Sequence, residues 1–153
     1  MNCNYSGENS IELYGSLGEF VDLRDAIVDF TESEDQSWAY KLDCNIETGH
    51  TQKRLSQIFL KKTNDMLCIA ISGRQIIISG KSGHFWPLSS YFHFDETDTF
   101  PEKNELLYHE NHNFLKSSSL SMIVCISKGK FGDVYQIIRY IKKQVWEGMQ
   151  III

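Results

Sequence analysis

The sequence predicts an α+β fold: one globular domain over residues 1–153, in two layers, with a mainly antiparallel β-sheet and two or three helices packed largely on one face. Three observations predict it. Short apolar segments follow one another across links of two or three residues, as in antiparallel hairpins. Helical spacing of apolar residues appears behind N-cap signals. A strand–glycine–helix motif also occurs twice, at 11–30 and 76–95, where Ile11, Leu13, Gly15, Gly18, Phe20 and Leu23 match Ile76, Ile78, Gly80, Gly83, Phe85 and Leu88. A glycine after a strand lets the chain turn sharply into a helix that packs back on the sheet. Two copies fall short of the three that a solenoid requires.

Ile11 to Gly15 reads as a strand. Ser16 is the expected N-cap of a helix to about Phe30, and Glu19 completes a capping box. Phe20, Leu23, Ile27 and Phe30 form its apolar stripe, while Glu19, Asp22, Arg24, Asp25 and Asp29 meet water. The three aspartates repel one another, and the apolar stripe decides the outcome. Residues 31–37 read as an acidic loop. Trp38, Tyr40, Leu42 and Cys44 then alternate with Ala39, Lys41 and Asp43, as in a strand with one wet face.

Leu55 to Lys62, Met66 to Ser72 and Gln75 to Ser79 read as a three-strand meander at the centre of the sheet, its middle strand the more fully buried. The second copy of the motif lacks the capping box, because His84 stands in the place of Glu19. With Pro87 present, its helix is expected to begin near Trp86, with Pro87 in the first turn. Residues 92–105 read as a second acidic loop, Leu106 to Phe114 as a strand of poor alternation, and Leu120 to Ile126 as a buried strand. Asp133 is the expected cap of a final helix with the stripe Val134, Ile137, Ile138, Ile141 and Val145, ended by Gly148. The apolar tail Met149 to Ile153 is expected to add an edge strand.

Composition narrows the function. The net charge of −5 disfavours direct nucleic-acid binding and suits a basic protein partner. No run approaches the ~20 apolar residues of a membrane span. Residues 1–10 show neither a basic n-region nor an apolar core, so the expected compartment is the cytoplasm. Cys3, Cys44, Cys68 and Cys125 are widely spaced and read as free thiols.

The search for chemistry yields little. His109 and His112, with Glu110, form the one cluster of metal-ligand type, but residues three apart on a strand face opposite ways. Cys125 has no exposed turn to present it as a nucleophile. Gly80-Lys81-Ser82 lacks the earlier glycine of a phosphate loop. No cofactor and no catalytic residue is expected. The acidic segments say more. Glu32, Glu34 and Asp35 follow the first motif; Asp95, Glu96 and Asp98 follow the second. Equivalent helices would place both loops in one negative field that steers a basic partner, with Trp86 and Tyr91 as anchors.

The segment 76–94, with Tyr108 to Ser127 after it, resembles the immunity-protein families of bacterial polymorphic toxin and contact-dependent growth inhibition systems. The shared parts are Ser79-Gly80 leading into a helix, a His-containing strand at His109 to Phe114, and Ser119-Leu120 opening the strand with Met122, Ile123 and Val124. Pro87 departs from the pattern. The resemblance implies a cytosolic inhibitor that binds a cognate toxin domain, often a basic nuclease, and blocks its active site or substrate groove. Two other readings stand beside it. One is a small metal-dependent hydrolase using His109 and His112. The other is a non-catalytic subunit, with an otherwise monomeric chain associating through the tail Met149 to Ile153.

Overall fold

A computed structural model describes residues 1–5, 10–42, 55–94, 109–111, 114–116, 118–127 and 135–142, with backbone alone for 109–111, 127 and 135–142. In chain order the elements are β1 (Asn2–Asn4), β2 (Ser10–Gly15), α1 (Leu17–Glu32), β3 (Ser37–Lys41), β4 (Gln57–Lys62), β5 (Cys68–Ser72), β6 (Gln75–Gly80), α2 (Ser82–Ser90), β7 (His109–Asn111), β8 (Ser121–Ser127) and β9 (Tyr135–Lys142). The fold is α+β. Antiparallel pairs (β1–β2, β3–β4, β5–β6, β8–β9) outnumber parallel ones (β2–β8, β4–β6, β7–β9).

The strands divide between two sheets, in the orders β1-β2-β8-β9-β7 and β3-β4-β6-β5. These sheets are near-copies of each other. In the first, Ile11 and Leu13 of β2 lie beside Met122 and Val124 of β8. In the second, Ile76 and Ile78 of β6 lie beside Ile58 and Leu60 of β4, again parallel. All eight side chains are buried. The outer neighbours correspond as well, since β1 pairs with β2 as β5 pairs with β6. Each half of the chain therefore gives its strand–glycine–helix unit to one sheet and its next long strand to the other. This exchange welds the halves into one hydrophobic core with both helices.

Helix α1 forms as its sequence dictates. The Ser16 side chain accepts from the Glu19 N–H, and the Glu19 carboxylate accepts from the Ser16 N–H. Phe20, Leu23, Ile27 and Phe30 are buried. Burial of such side chains is worth roughly 1.5–3 kcal/mol each, against a few tenths for each like-charge pair on the wet face. The two helices meet through Phe30 and Phe85, edge to face at 5.3 Å, and Phe20 stacks on Phe92 at 6.1 Å.

Three expectations are corrected. First, β4, β5 and β6 are not a meander. β4 lies beside β6, and β5 lies at the far side as a half-buried strand. The link after Lys62 steps over the end of β6, where Thr63 N–H donates to Gly80 O and Lys81 N–H to Asp65 O. Second, α2 begins at Ser82, and Pro87 sits inside it. The proline forfeits a bond to the Gly83 carbonyl, at a cost of about 3 kcal/mol that burial of Phe85 and Leu88 offsets. Third, residues 135–142 form a strand antiparallel to β8 rather than part of a final helix. They are rich in isoleucine and tyrosine, which suit a sheet. Among the described glycines Gly73, in the β5–β6 hairpin, has a positive φ, at 57°. Gly80 is needed for close approach, because a β-carbon there would lie 2.8 Å from Leu67 Cα. The expected edge strand at 149–153 and the position of Cys44 lie outside the described residues.

Candidate interaction surface

The wet face of α1 carries Asp22, Asp25, Asp29 and Glu32, a spacing that sets all four along one line of the helix. All four are exposed, and Glu34 and Asp35 continue the line beyond the helix. Arg24 donates to Asp25 through two guanidinium nitrogens and contacts His93 Nδ1 at 2.7 Å. Among the described residues no ion pair engages Asp22, Asp29, Glu32, Glu34 or Asp35. The line runs into the C-terminal end of the helix, where the backbone dipole is itself negative and no basic residue occupies the last turn. Lys62 approaches that end. Its ammonium donates to Ser33 O and sits 4.7 Å from the centre of the Phe30 ring.

Beside this end lies a groove of about 200 Å³ between α1 and β3, lined by Ala26, Asp29, Phe30, Ser33, Asp35 and Trp38. Its shape is set by ordinary capping. Ser33 N–H donates to Asp29 O, Ser33 Oγ donates to Phe30 O, and Asp35 N–H donates to Ser33 Oγ. Trp38 is half-buried and tilts against Tyr40 with ring centres 6.0 Å apart. A ligand pocket for a drug-sized molecule usually offers about 300–1,000 Å³. This groove has room for a single long side chain.

The residues singled out in the sequence separate as follows. Glu32, Glu34 and Asp35 are exposed together at the end of α1. Trp86 projects from α2 with 49% of its surface exposed. The first turn of α2 touches the last turn of α1, where Ser82 Oγ donates to Thr31 O. Tyr91 is buried in the core and is withdrawn as a surface anchor. Asp95, Glu96 and Asp98 lie outside the described residues, as do His112 and the side chains of His109 and Glu110. Sequence reading did not single out Asp22, Asp29 and Trp38 for this candidate surface. The signal was the regular spacing of carboxylates toward a helix C-terminus, where acidic residues are the less favourable choice.

The two buried thiols, Cys3 and Cys125, are chemically quiet. Cys3 and Cys125 are buried, Cys68 is half-buried, and all three are free. Burial, with the Glu12 carboxylate adding to it, pushes the Cys125 thiol up to about 12, so it stays protonated at neutral pH. Among the described residues no three His, Cys, Asp or Glu side chains gather as a metal site, and no helix is long and apolar enough to cross a membrane.

No family model, curated protein or solved structure matches the chain. The likeness to immunity proteins therefore rests on the sequence motifs alone.

Proposed function

We propose that this chain is an immunity protein that binds and neutralises a basic toxin domain of the nuclease class. The observation that carries the reading is the exposed line of carboxylates on α1, extended by Glu34 and Asp35, in which only Asp25 has an ion-pair partner, Arg24, among the described residues. Acidic residues in the last turn of a helix work against the helix dipole. A basic partner relieves that repulsion. A nuclease must hold phosphates, so its substrate groove is positively charged. An acidic inhibitor seated there gains speed of association and excludes the substrate by occupying its place.

The test is whether a reading frame next to this chain encodes a toxin-like domain, and whether co-expression with that domain gives protection. Cells that carry both should survive and those with the toxin alone should die. The purified pair should associate more slowly as salt rises. Absence of protection in the co-expressing cells overturns the reading.

A further inference from the structure

We propose that the outer edge of β3 docks an extended segment of the basic protein partner, which joins the sheet as an added strand and sets an arginine in the groove beside α1. The inference rests on the partner reading above and names where and how that partner is held.

Strand β3 is the end strand of its sheet, in the order β3-β4-β6-β5. Lys62 N–H donates to Gln36 O and Leu42 N–H to Ser56 O, so the even-numbered residues of β3 face β4. Antiparallel pairing alternates, which leaves the backbone groups of Ser37, Ala39 and Lys41 pointing away from the sheet. The opposite edge of the same sheet is treated differently. Around β5 the chain's own segment closes the ladder: Leu67 N–H donates to Phe114 O, Lys116 N–H to Leu67 O and Leu120 N–H to Ile69 O. Natural sheets shield exposed edges with bulges, charges or a covering segment. Among the described residues no segment pairs with the outer edge of β3, which carries one terminal charge, Lys41, beside the small residues Ser37 and Ala39.

The groove defines the occupant. Every second side chain of an added strand stands on the face that carries Trp38. That face opens on Asp29 and Asp35, with Phe30 and Trp38 as apolar walls. A guanidinium is planar, weakly hydrated and able to stack on an indole while it pairs with carboxylates. An ammonium is held by its own hydration and exploits the walls less. An extended basic peptide thus finds main-chain pairing from β3 and side-chain specificity from the groove, as in other strand-addition complexes.

The experiment titrates the whole chain, labelled for NMR, with the peptide amide Thr-Val-Thr-Arg-Thr-Val-Thr. Saturable shifts should centre on the amides of Ser37, Ala39 and Lys41 and on the Trp38 indole, and exchange of those amides should slow at least tenfold. Replacing the peptide arginine with lysine should weaken binding at least fivefold. That difference should vanish in the Asp29→Asn, Asp35→Asn double variant. Methylating alternate peptide nitrogens should abolish binding without altering the protein. Ala39→Pro should do the same from the other side, since proline is tolerated where an edge N–H points outward. No shift at millimolar peptide, shifts centred elsewhere, or equal binding by the methylated peptide overturns the proposal. An Ala39→Pro chain that protects cells as well as the parent does too, and leaves neutralisation standing. A chain that binds the peptide at β3 but protects against no toxin overturns neutralisation and leaves the edge standing.

Discussion

Gly80 lies against the backbone of Leu67, so close that a β-carbon would sit 2.8 Å from the Leu67 Cα and 3.2 Å from its nitrogen. The contact exists because the link from β4 to β5 crosses over the end of β6. Its counterpart in the other sheet is gentler. A β-carbon on Gly15 would meet side-chain atoms, Glu19 Oε2 at 3.2 Å and Phe20 Cε2 at 3.3 Å. Gly80→Ala should therefore cost about 2–3 kcal/mol, at the upper end for overpacking, and Gly15→Ala about 1 kcal/mol. Paired urea melts check the ranking. Equal losses would show that the crossing link gives way freely.

The two helix starts differ in the same comparative way. Ser16 caps α1, whereas Lys81 at the head of α2 makes no side-chain cap. His84, at the position that Glu19 holds in α1, has a buried Nδ1 without a hydrogen-bond partner among the described residues. Ser16→Ala should lower stability by about 1 kcal/mol, and Lys81→Ser should raise it by about 0.5–1 kcal/mol. Thermal unfolding of both variants reads the opposite signs.

These elements show what the sequence made legible. The α+β class, α1 with its capping box, β6 and β8 all follow from local signals: spacing, a cap, an apolar run. The exchange of β4 and β8 between sheets does not, because pairing is decided by non-local burial and the links give no direction. The final strand was misread for a specific reason. Register against β8 shifts between Val124 and Cys125, where the partners are Arg139 and Ile137, so Ile138 is an additional residue in β9. An inserted residue breaks period-two alternation and makes Ile137, Ile138 and Ile141 mimic helical spacing. Of the candidate interaction surface, Glu32, Glu34 and Asp35 were readable as charge. The groove was not, since it requires Trp38 to return beside the helix that ends at Glu32.

Buried thiols make stability depend on alkaline pH. The folded Cys125 holds its proton up to about 12, while the ordinary thiol value is 9.0. Cys3 is shifted in the same direction, by burial first and Glu12 second. As pH rises through 9.0 the unfolded chain releases thiol protons that the folded chain keeps, so stability falls. Cys125→Ala should flatten that decline between pH 9.0 and 11, measured by urea midpoints. At pH 8 a thiol reagent should modify Cys68 well before Cys3 and Cys125. Rapid labelling of Cys125 in the folded protein would contradict its burial.

Charge at the end of α1 should set stability against binding. Glu32 stands in the last turn, where a carboxylate opposes the helix dipole by about 0.3–1 kcal/mol. Glu32→Lys removes that opposition and adds a favourable cation, so the isolated chain should melt higher, by a few degrees. The same change weakens the field offered to a basic partner. Association with the toxin domain should slow severalfold at low salt, and its salt dependence should become shallower. Asp65→Lys, an equal change of charge on the exposed link after β4, serves as the control. It should leave both quantities close to the parent. A stabilised Glu32→Lys chain whose association rate and salt dependence match the parent would show that the line of carboxylates on α1 does not face the partner.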